Sequence, residues 1–271
     1  MRQKVLIKGA GEQASGTAHR LHRCGFQVVM TELAWPTAVR LQVSFCTAIH
    51  HGVVVVEGVR GVGYPEGAWP ELDALDGSHI PVLVDPGGQV VEQWRPDVII
   101  DARLAKRNLD NHPSQAPLVI GYGPGLVVGQ DVDVVIETHR GHDLGRILRA
   151  GAALADTGVP GTLGGHGASR VLRAPCAGTL HGLRVIGDLV EPGERVAEVG
   201  ALPVATTVAG VLRGLIGEGT RVREGQKVGD VDPRGDPGCC SRLSDKSRTL
   251  SGAALEVILS HAREGTGGVH K

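Results

Sequence analysis

The sequence predicts an α/β protein in which a Rossmann-like, doubly wound parallel sheet is followed by a small all-β, barrel-sandwich-like domain and a C-terminal helix. Short apolar runs alternate with helix-like or turn-rich segments over residues 4–138. A tandem repeat with an offset of 32 residues follows. We expect a first domain over 1–150, a glycine-rich linker over 151–170, the all-β domain over 171–233, and a cysteine-containing loop with the helix over 234–271.

Seven strands are predicted in the first domain. Several consist almost entirely of Val, Ile and Leu, as expected of parallel strands that are buried on both faces. The predicted strands are residues 5–8, 27–31, 53–56, 81–84, 97–100, 118–121 and 132–136.

The composition argues against several classes of protein. The 271 residues include 28 Lys and Arg against 29 Asp and Glu, a net charge of -1, so neither nucleic acid nor an anionic membrane is an expected partner. The first apolar run is too short for a signal peptide and no later one would span a bilayer, so we expect a soluble protein. The five cysteines fit neither a disulfide framework nor a C-x-x-C zinc site, so we expect a reducing cytoplasm and no metal site.

The turn after the first predicted strand carries the strongest motif. Gly9, Gly11 and Ala14 fit the pattern G-x-G-x-x-G/A, in which the first glycine permits the turn and the second admits a phosphate. Lys8 adds a cation, and Glu32, after the second predicted strand, can accept hydrogen bonds from ribose hydroxyls. The motif predicts a site for NAD(P) or another phosphorylated ligand; the alternative is a tight turn without a ligand.

Acidic residues follow two later strands of the predicted sheet. Asp85 and Asp101 would lie at the same carboxyl edge as the glycine loop, where ligands bind. Each is a candidate ligand residue or a cap of the next turn or helix.

A dense polar segment follows the last predicted strand, at residues 137–146. There Arg140 is suited to a phosphate or carboxylate, and His139 or His142 to proton transfer. The alternative is a solvated polar turn.

Cys239 and Cys240 lie in a predicted loop that is flanked by Arg and Lys residues. Exposed thiols beside cationic side chains can have a lowered pKa and can handle sulfur or selenium. The alternative is that the pair has no chemical role.

The repeat predicts two similar β halves that close over one core. Such halves resemble biotinyl and lipoyl carrier domains, but the joint at residues 198–205 contains no lysine to modify, so no carrier function is expected. The C-terminal helix is predicted over residues 250–261 and is expected to dock on the barrel. Matching pairs include Leu180 and Leu212, Val190 and Val222, Val196 and Val228, and Val199 and Val231.

Segments from both predicted domains resemble the YqeB family. The resemblance implies an accessory protein of selenium-dependent molybdenum hydroxylases that matures the molybdenum cofactor or inserts selenium, with a Rossmann-like domain akin to that of the XdhC/CoxI maturation proteins. The family pattern has one cysteine where Cys240 stands, so Cys239 is an addition. The matching segments are residues 7–11, 14–16, 18–23, 30–32, 36–40, 105–108, 137–142, 232–234 and 244–248.

Motifs and resemblance together predict a maturation factor that binds a nucleotide or the molybdenum cofactor. Its expected partners are a phosphorylated small molecule, the molybdenum hydroxylase apoenzyme and the maturation proteins of that enzyme. The alternatives are an NAD(P)-dependent oxidoreductase and a noncatalytic scaffold, and the motifs leave open whether a reaction is catalysed. The candidate catalytic residues are Cys240 and His142, and the candidate cofactor-binding residues are Lys8, Gly9, Gly11, Ala14, Glu32, Asp101 and Arg140.

Overall fold

The structure, a computed structural model, describes residues 2–266. It is a mixed α/β fold with one large sheet, two smaller sheets and a C-terminal helix, as the sequence predicts at this coarse level. The predicted limits at residues 1 and 271 lie outside the described residues, and the proposed division into domains stays a prediction.

The large sheet has nine strands in the order β3-β4-β5-β2-β1-β6-β7-β8-β9. All neighbouring pairs from β4 to β8 are parallel, whereas the outermost strands β3 and β9 pair antiparallel. The strands are β1 (Lys4–Lys8), β2 (Gln27–Glu32), β3 (Val53–Val56), β4 (Val59–Tyr64), β5 (Ile80–Val84), β6 (Val98–Asp101), β7 (Leu118–Tyr122), β8 (Val134–Ile136) and β9 (Ile147–Leu148).

Apolar side chains cover both faces of this sheet. Because successive side chains of a strand point to opposite faces, Ile7 joins one hydrophobic cluster and its neighbour Leu6 joins another. The cluster around Ile7 includes α1 and α4, and the cluster around Leu6 includes α3. The helices are α1 (Glu12–Arg23), α2 (Ala48–His51), α3 (Val90–Trp94) and α4 (Asp245–Thr266).

Each of the seven predicted strands of this sheet is present. β3 has the predicted ends and the other six have shifted ends, whereas β4 and β9 were not predicted. The sequence of β4 contains Gly61 and Gly63, which resemble a turn signal. In the fold they make room instead: a Cβ at Gly61 would contact the ring of Phe45, and one at Gly63 would overlap the carbonyl of Ala48. These glycines allow α2 and the segment before it to pack on the strand.

The predicted docking of the C-terminal helix on the barrel is wrong. Leu250 and Ile258 of α4 are buried in the cluster of the large sheet, against α1. Gly16 of α1 allows the close approach, since a Cβ there would overlap Oγ of Ser247. Ser247 Oγ also donates to the carbonyl of Glu12 at 3.0 Å. The apolar face of the helix was identified correctly, but such a face does not specify which surface it covers.

Eight short strands form the two smaller sheets. In each sheet, a short strand of one repeat copy pairs with a strand of the other copy. The short strand β12 of the first copy pairs with β15 of the second, and β16 of the second pairs with β11 of the first. The sheet orders are β10-β17-β15-β12 and β14-β13-β11-β16. The strands are β10 (Val171–Arg173), β11 (Gly178–Gly182), β12 (Leu189–Val190), β13 (Arg195–Val199), β14 (Leu202–Ala205), β15 (Gly210–Leu215), β16 (Arg221–Val222) and β17 (Lys227–Asp232).

One hydrophobic core joins these two sheets. Leu180 and its repeat partner Leu212 are both fully buried in it, as are Val196 and Val228. Apolar matches at an offset of 32 residues therefore mark positions that face the shared core.

Candidate functional site

A cavity of about 940 Å³ lies between the large sheet and the second β-rich part. We call it the central cavity. Its sheet side is formed by the glycine loop, the start of α1 and the segments that follow β2, β5 and β6; its other side is formed by Arg213, Lys227 and Asp230. In the sheet, β2 lies on one side of β1 and β6 lies on the other, so the strand order reverses direction at β1. Ligands of open α/β sheets bind at such a reversal, outside the carboxyl ends of the strands.

The glycine loop connects β1 to α1 at the edge of the central cavity. Gly9 has a φ of +95°, a conformation that L side chains rarely adopt, and its amide donates to the carbonyl of Thr31 at 2.9 Å. Gly11 is the N-cap of α1, and no described side chain caps this helix. The loop therefore has the conformation that the motif predicts, with the first-turn amides directed at the cavity edge.

Glu32 lies at the end of β2 and supports the glycine loop. Its Oε2 accepts the amide of Ala10 at 2.9 Å and its Oε1 accepts the amide of Leu33 at 2.8 Å. Burial raises the pKa of the Glu32 carboxyl. Both oxygens thus contact backbone, and a hydrogen bond to ribose would have to use their remaining acceptor capacity.

Lys8 is absent from the described lining of the central cavity, but it lines a small cavity of about 60 Å³ beside the glycine loop, together with Gly9 and Arg103. Its predicted role as a cation of the loop stays a prediction. Its ammonium donates to Asp110 at 3.1 Å, Asn111 at 3.0 Å and Gln115 at 3.3 Å. Burial lowers the pKa of Lys8. Ala14 is likewise buried behind the loop, in the first turns of α1.

Asp101 also lies outside the described lining of the central cavity. Its Oδ2 accepts Arg103 NH2 at 2.7 Å and the Asn111 amide at 2.6 Å, so it holds Arg103 in place. Arg103 itself lines the cavity. Asp85 accepts two backbone amides at the start of α3, each at 3.0 Å, which is the capping alternative considered for it.

Arg40 and Arg213 are lining residues of the cavity that sequence reasoning missed. Arg40 is 6% exposed, and within residues 2–266 its Nε has no hydrogen-bond partner. Arg213 NH2 lies 2.5 Å from Asp230 Oδ2, and its Nε is also unpartnered in the described part of the chain. Two signals pointed to them: Arg40 ends a segment that matches the family, and Arg213 interrupts the apolar sequence of β15.

Asp230 is the buried centre of the cationic side of the cavity. Its Oδ2 lies 2.9 Å from Arg170 NH1 and 3.6 Å from Lys227 Nζ, in addition to Arg213. Desolvation lowers the pKa of Lys227, and the nearby cations lower that of Asp230 although its burial opposes this. Three cations thus contact Asp230, and one of them, Arg213, also lies 3.5 Å from Asp232. Asp230 Oδ1 has no hydrogen-bond partner among the described residues.

Unused buried donors indicate that these residues fit a phosphorylated group. The Nε atoms of Arg40 and Arg213 need acceptors, and a buried donor without an acceptor is costly. A phosphate between the start of α1 and these guanidinium groups would supply them.

Arg140 and His142 are not brought to the central cavity. Arg140 forms two hydrogen bonds with Asp245, at 2.8 Å and 3.2 Å, and lines two other cavities. His142 is exposed in the loop after β8. The described lining of the central cavity includes neither residue, so their predicted roles stay predictions.

The prediction that Cys240 is an exposed thiol with a lowered pKa is wrong. Cys240 is 2% exposed, its Sγ lies 3.8 Å from the carbonyl of Leu212, and burial raises its pKa. Burial, together with the charge of Asp232, raises the pKa of Cys239 to about 12. The cysteine segment folds back on β15 and buries Cys240, whereas Cys239 stays half-buried. The catalytic role of Cys240 stays a prediction.

Neither a metal-binding cluster nor a membrane-spanning helix is found among the described residues. Among residues 2–266, no group of three or more His, Cys, Asp or Glu side chains is arranged to hold a metal ion. No helix in the same range combines the length and apolar character needed to cross a membrane.

The fold and site define an α/β protein with an arginine-lined cavity at the carboxyl edge of its sheet. The chain is 40% identical over 263 residues to the Escherichia coli (strain K12) protein YqeB. The aligned region covers 97% of this chain and 48% of that protein. The chain belongs to the YqeB family. It spans about half the length of the curated relative that it matches.

No protein-family model matches the chain. A succinylglutamate desuccinylase/aspartoacylase structure from Rhodobacter sphaeroides is 13% identical, covers 85% of both chains and has a TM-score of 0.25. An aspartoacylase family protein from Mesorhizobium loti is 12% identical with the same coverage and a TM-score of 0.27. Both TM-scores are too low to support a common fold.

Proposed function

We propose that this chain is an accessory factor for selenium-dependent molybdenum hydroxylases that binds a phosphorylated ligand, either a nucleotide or the molybdenum cofactor, in the central cavity. One observation carries the binding part of the proposal: the glycine loop and the start of α1 face Arg213 and Lys227 across a cavity of about 940 Å³. Cavities of this size accommodate cofactor-sized molecules.

The ligand's phosphate would lie at the start of α1. The backbone amides after Gly11 and the positive end of the helix dipole would receive it. The guanidinium groups of Arg40, Arg103 and Arg213 would contact the same or an adjacent anionic group. The molybdenum cofactor, when bound, would supply its metal centre and a terminal phosphate, whereas the chain's own residues bind and orient it.

We also propose the finer fold assignments: a Rossmann-like domain over the large sheet and a barrel-sandwich-like domain over the two smaller sheets. The first is supported by the parallel inner strands and the glycine loop between β1 and α1. The second is supported by the exchange of short strands between two repeat copies around one core.

The hydroxylase role and its partners rest on the family resemblance. A molybdenum hydroxylase apoenzyme and its maturation proteins are the proposed partners. A host that lacks this protein would test the role: the wild-type chain should restore selenium-dependent hydroxylase activity, and unchanged activity in the deletion strain would contradict it.

The ligand itself can be identified directly. Mass spectrometry and elemental analysis of the natively purified protein should detect a phosphorylated compound. Calorimetry with NAD, ADP, ATP and molybdopterin compounds should then find binding by the wild type and its loss in Gly11→Val, because the valine side chain fills the space that the phosphate needs. Gly217→Val is the matched control, since a Cβ there meets only Thr220 Oγ1, at an ordinary 3.6 Å. No binding by the wild type, or equal binding by Gly11→Val, would contradict the proposal.

An NAD(P)-dependent oxidoreductase is the second candidate. Glu32 favours this candidate, because this residue lies at the end of β2, where dinucleotide-binding proteins place the carboxylate that contacts ribose. A clear preference for NAD over molybdopterin compounds in the same calorimetry would support this candidate.

A further inference from the structure

A second cavity, of about 510 Å³, lies behind the central cavity, where the segment before α4 covers β15 and the loop after β2. We call it the arginine cavity. Arg40 and Arg213 line both cavities and therefore form the wall between them. Its lining contains six arginines, namely Arg40, Arg140, Arg213, Arg234, Arg242 and Arg248.

The lining of the arginine cavity has more basic than acidic side chains. It includes six arginines but two carboxylates, Asp236 and Asp245. Each arginine also contacts a carboxylate: Glu12 with Arg40, Asp245 with Arg140, Asp230 and Asp232 with Arg213, Asp232 with Arg234, Asp236 with Arg242, and Glu57 with Arg248.

The guanidinium groups also keep hydrogen-bonding capacity. Arg248 makes both of its contacts with Glu57 through NH2, and a guanidinium has five N–H donors. Arg40 is 6% exposed and its Nε has no partner among the described residues. Because Arg40 lines both cavities, an acceptor in either cavity would satisfy this buried donor.

We propose that the arginine cavity binds a small tetrahedral oxyanion of the phosphate class, separately from the ligand of the central cavity. The oxygens of such an ion can accept hydrogen bonds from several guanidinium groups that converge from different directions. The inference goes beyond the proposed function, since neither the glycine loop nor α1 amides take part in this second site.

The shape of the site favours a small ion over a polymer. The arginines surround a cavity of about 510 Å³, whereas nucleic acid is bound by extended basic surfaces. The chain's net charge of -1 also gives no general attraction for polyanions.

The test is calorimetric titration of the full chain with inorganic phosphate and with pyrophosphate at constant ionic strength. Arg234→Gln/Arg242→Gln should weaken binding about tenfold or more, because charge-assisted hydrogen bonds are lost. Arg195→Gln, which removes one exposed arginine of β13, is the charge-matched control for Arg242→Gln alone and should bind as the wild type does. If the double variant fails to fold, Arg242→Gln alone is tested instead, because Arg242 is exposed and its replacement should leave the fold intact.

A second readout locates the ion. Cys239 lines the arginine cavity, so phosphate should slow its alkylation in the wild type. Gly11→Val should still bind phosphate in the arginine cavity even if it no longer binds the ligand of the central cavity. This variant therefore distinguishes a failure of the second site from a failure of the proposed function. Three results would overturn it: no phosphate binding by the wild type, equal weakening by Arg195→Gln, or binding that is lost in Gly11→Val but kept in the arginine variants.

Discussion

Oε2 of Glu32 accepts a hydrogen bond of 2.9 Å from the backbone amide of Ala10, between the two glycines of the loop. The carboxylate therefore fixes the loop from behind, at the position where a dinucleotide-binding protein would use it for ribose. Whether Glu32 holds the loop or contacts the ligand is open to a direct test.

Glu32→Gln should reduce the affinity for ADP and for a molybdopterin compound, which has no ribose, by a similar factor, about three- to tenfold, if Glu32 acts through the loop. The glutamine amide group would face either the Ala10 or the Leu33 amide, donor against donor. Calorimetry with both compounds measures the two factors, and Glu66→Gln at an exposed position is the control. A loss restricted to ADP would instead indicate contact with ribose.

Gly16→Ala should destabilise the fold by about 1–3 kcal/mol, because the new methyl group would overlap Ser247 where α1 and α4 meet. Gly252→Ala in α4 should stabilise it by about 0.5–1 kcal/mol, since the nearest atom, Arg20 NH1, is 3.6 Å from the added Cβ. Chemical denaturation gives both free energies of unfolding. Equal effects of the two substitutions would show that α4 does not pack closely on α1 at Gly16.

Thiol labelling of the native protein should modify Cys24 first, because it is exposed, and Cys46 and Cys240 last, because both are buried. Burial also raises the pKa of Cys46 and of Cys240, which lowers the thiolate fraction of each. Alkylation followed by peptide mass spectrometry orders the rates. Early labelling of Cys240 would mean that its segment opens from β15 in solution.

Asp232 should make stability depend on pH in the acid range. Its folded-state pKa is about 2, below the usual 3.8, because hydrogen bonds and charge from Arg234 and Arg213 outweigh its burial. A lowered pKa stabilises the fold above the unfolded-state value, and this contribution is lost as the pH falls from about 4 through 2. It should amount to about 1–2 kcal/mol.

Denaturation of the wild type and of Asp232→Asn between pH 6 and about pH 2 checks this expectation. The difference between their free energies of unfolding should shrink as the pH falls. A constant difference over this range would indicate that Asp232 has a normal pKa in the folded state.

The sequence predicted those features in which local pattern and physical role coincide. The turn at Gly9 requires a positive φ, and the motif identifies it. Leu180 and Leu212 match because both face one core. In β4 the pattern failed, because Gly61 is required by the ring of Phe45, which is distant in sequence.

The candidate site was predicted less completely, because its charged residues come from both parts of the chain. Lys8 precedes the glycine loop in sequence, yet its ammonium is held by Asp110 and Asn111, which come about a hundred residues later in the chain. Arg213 lies more than two hundred residues from Gly9 in the sequence and still lines the same cavity. Pairings of this kind depend on tertiary packing and leave no local signal.

The packing of α4 on α1 has a consequence for synthesis of the chain. During translation the apolar surface of α1 emerges early, but Leu250 and Ile258, which cover it, follow only after the whole second β-rich part has been made. Until then the nascent sheet exposes that surface to chaperones and to other chains. Ribosome stalling before residue 245 should therefore trap a species that binds hydrophobic dyes, even though all nine strands of its sheet are already outside the exit tunnel.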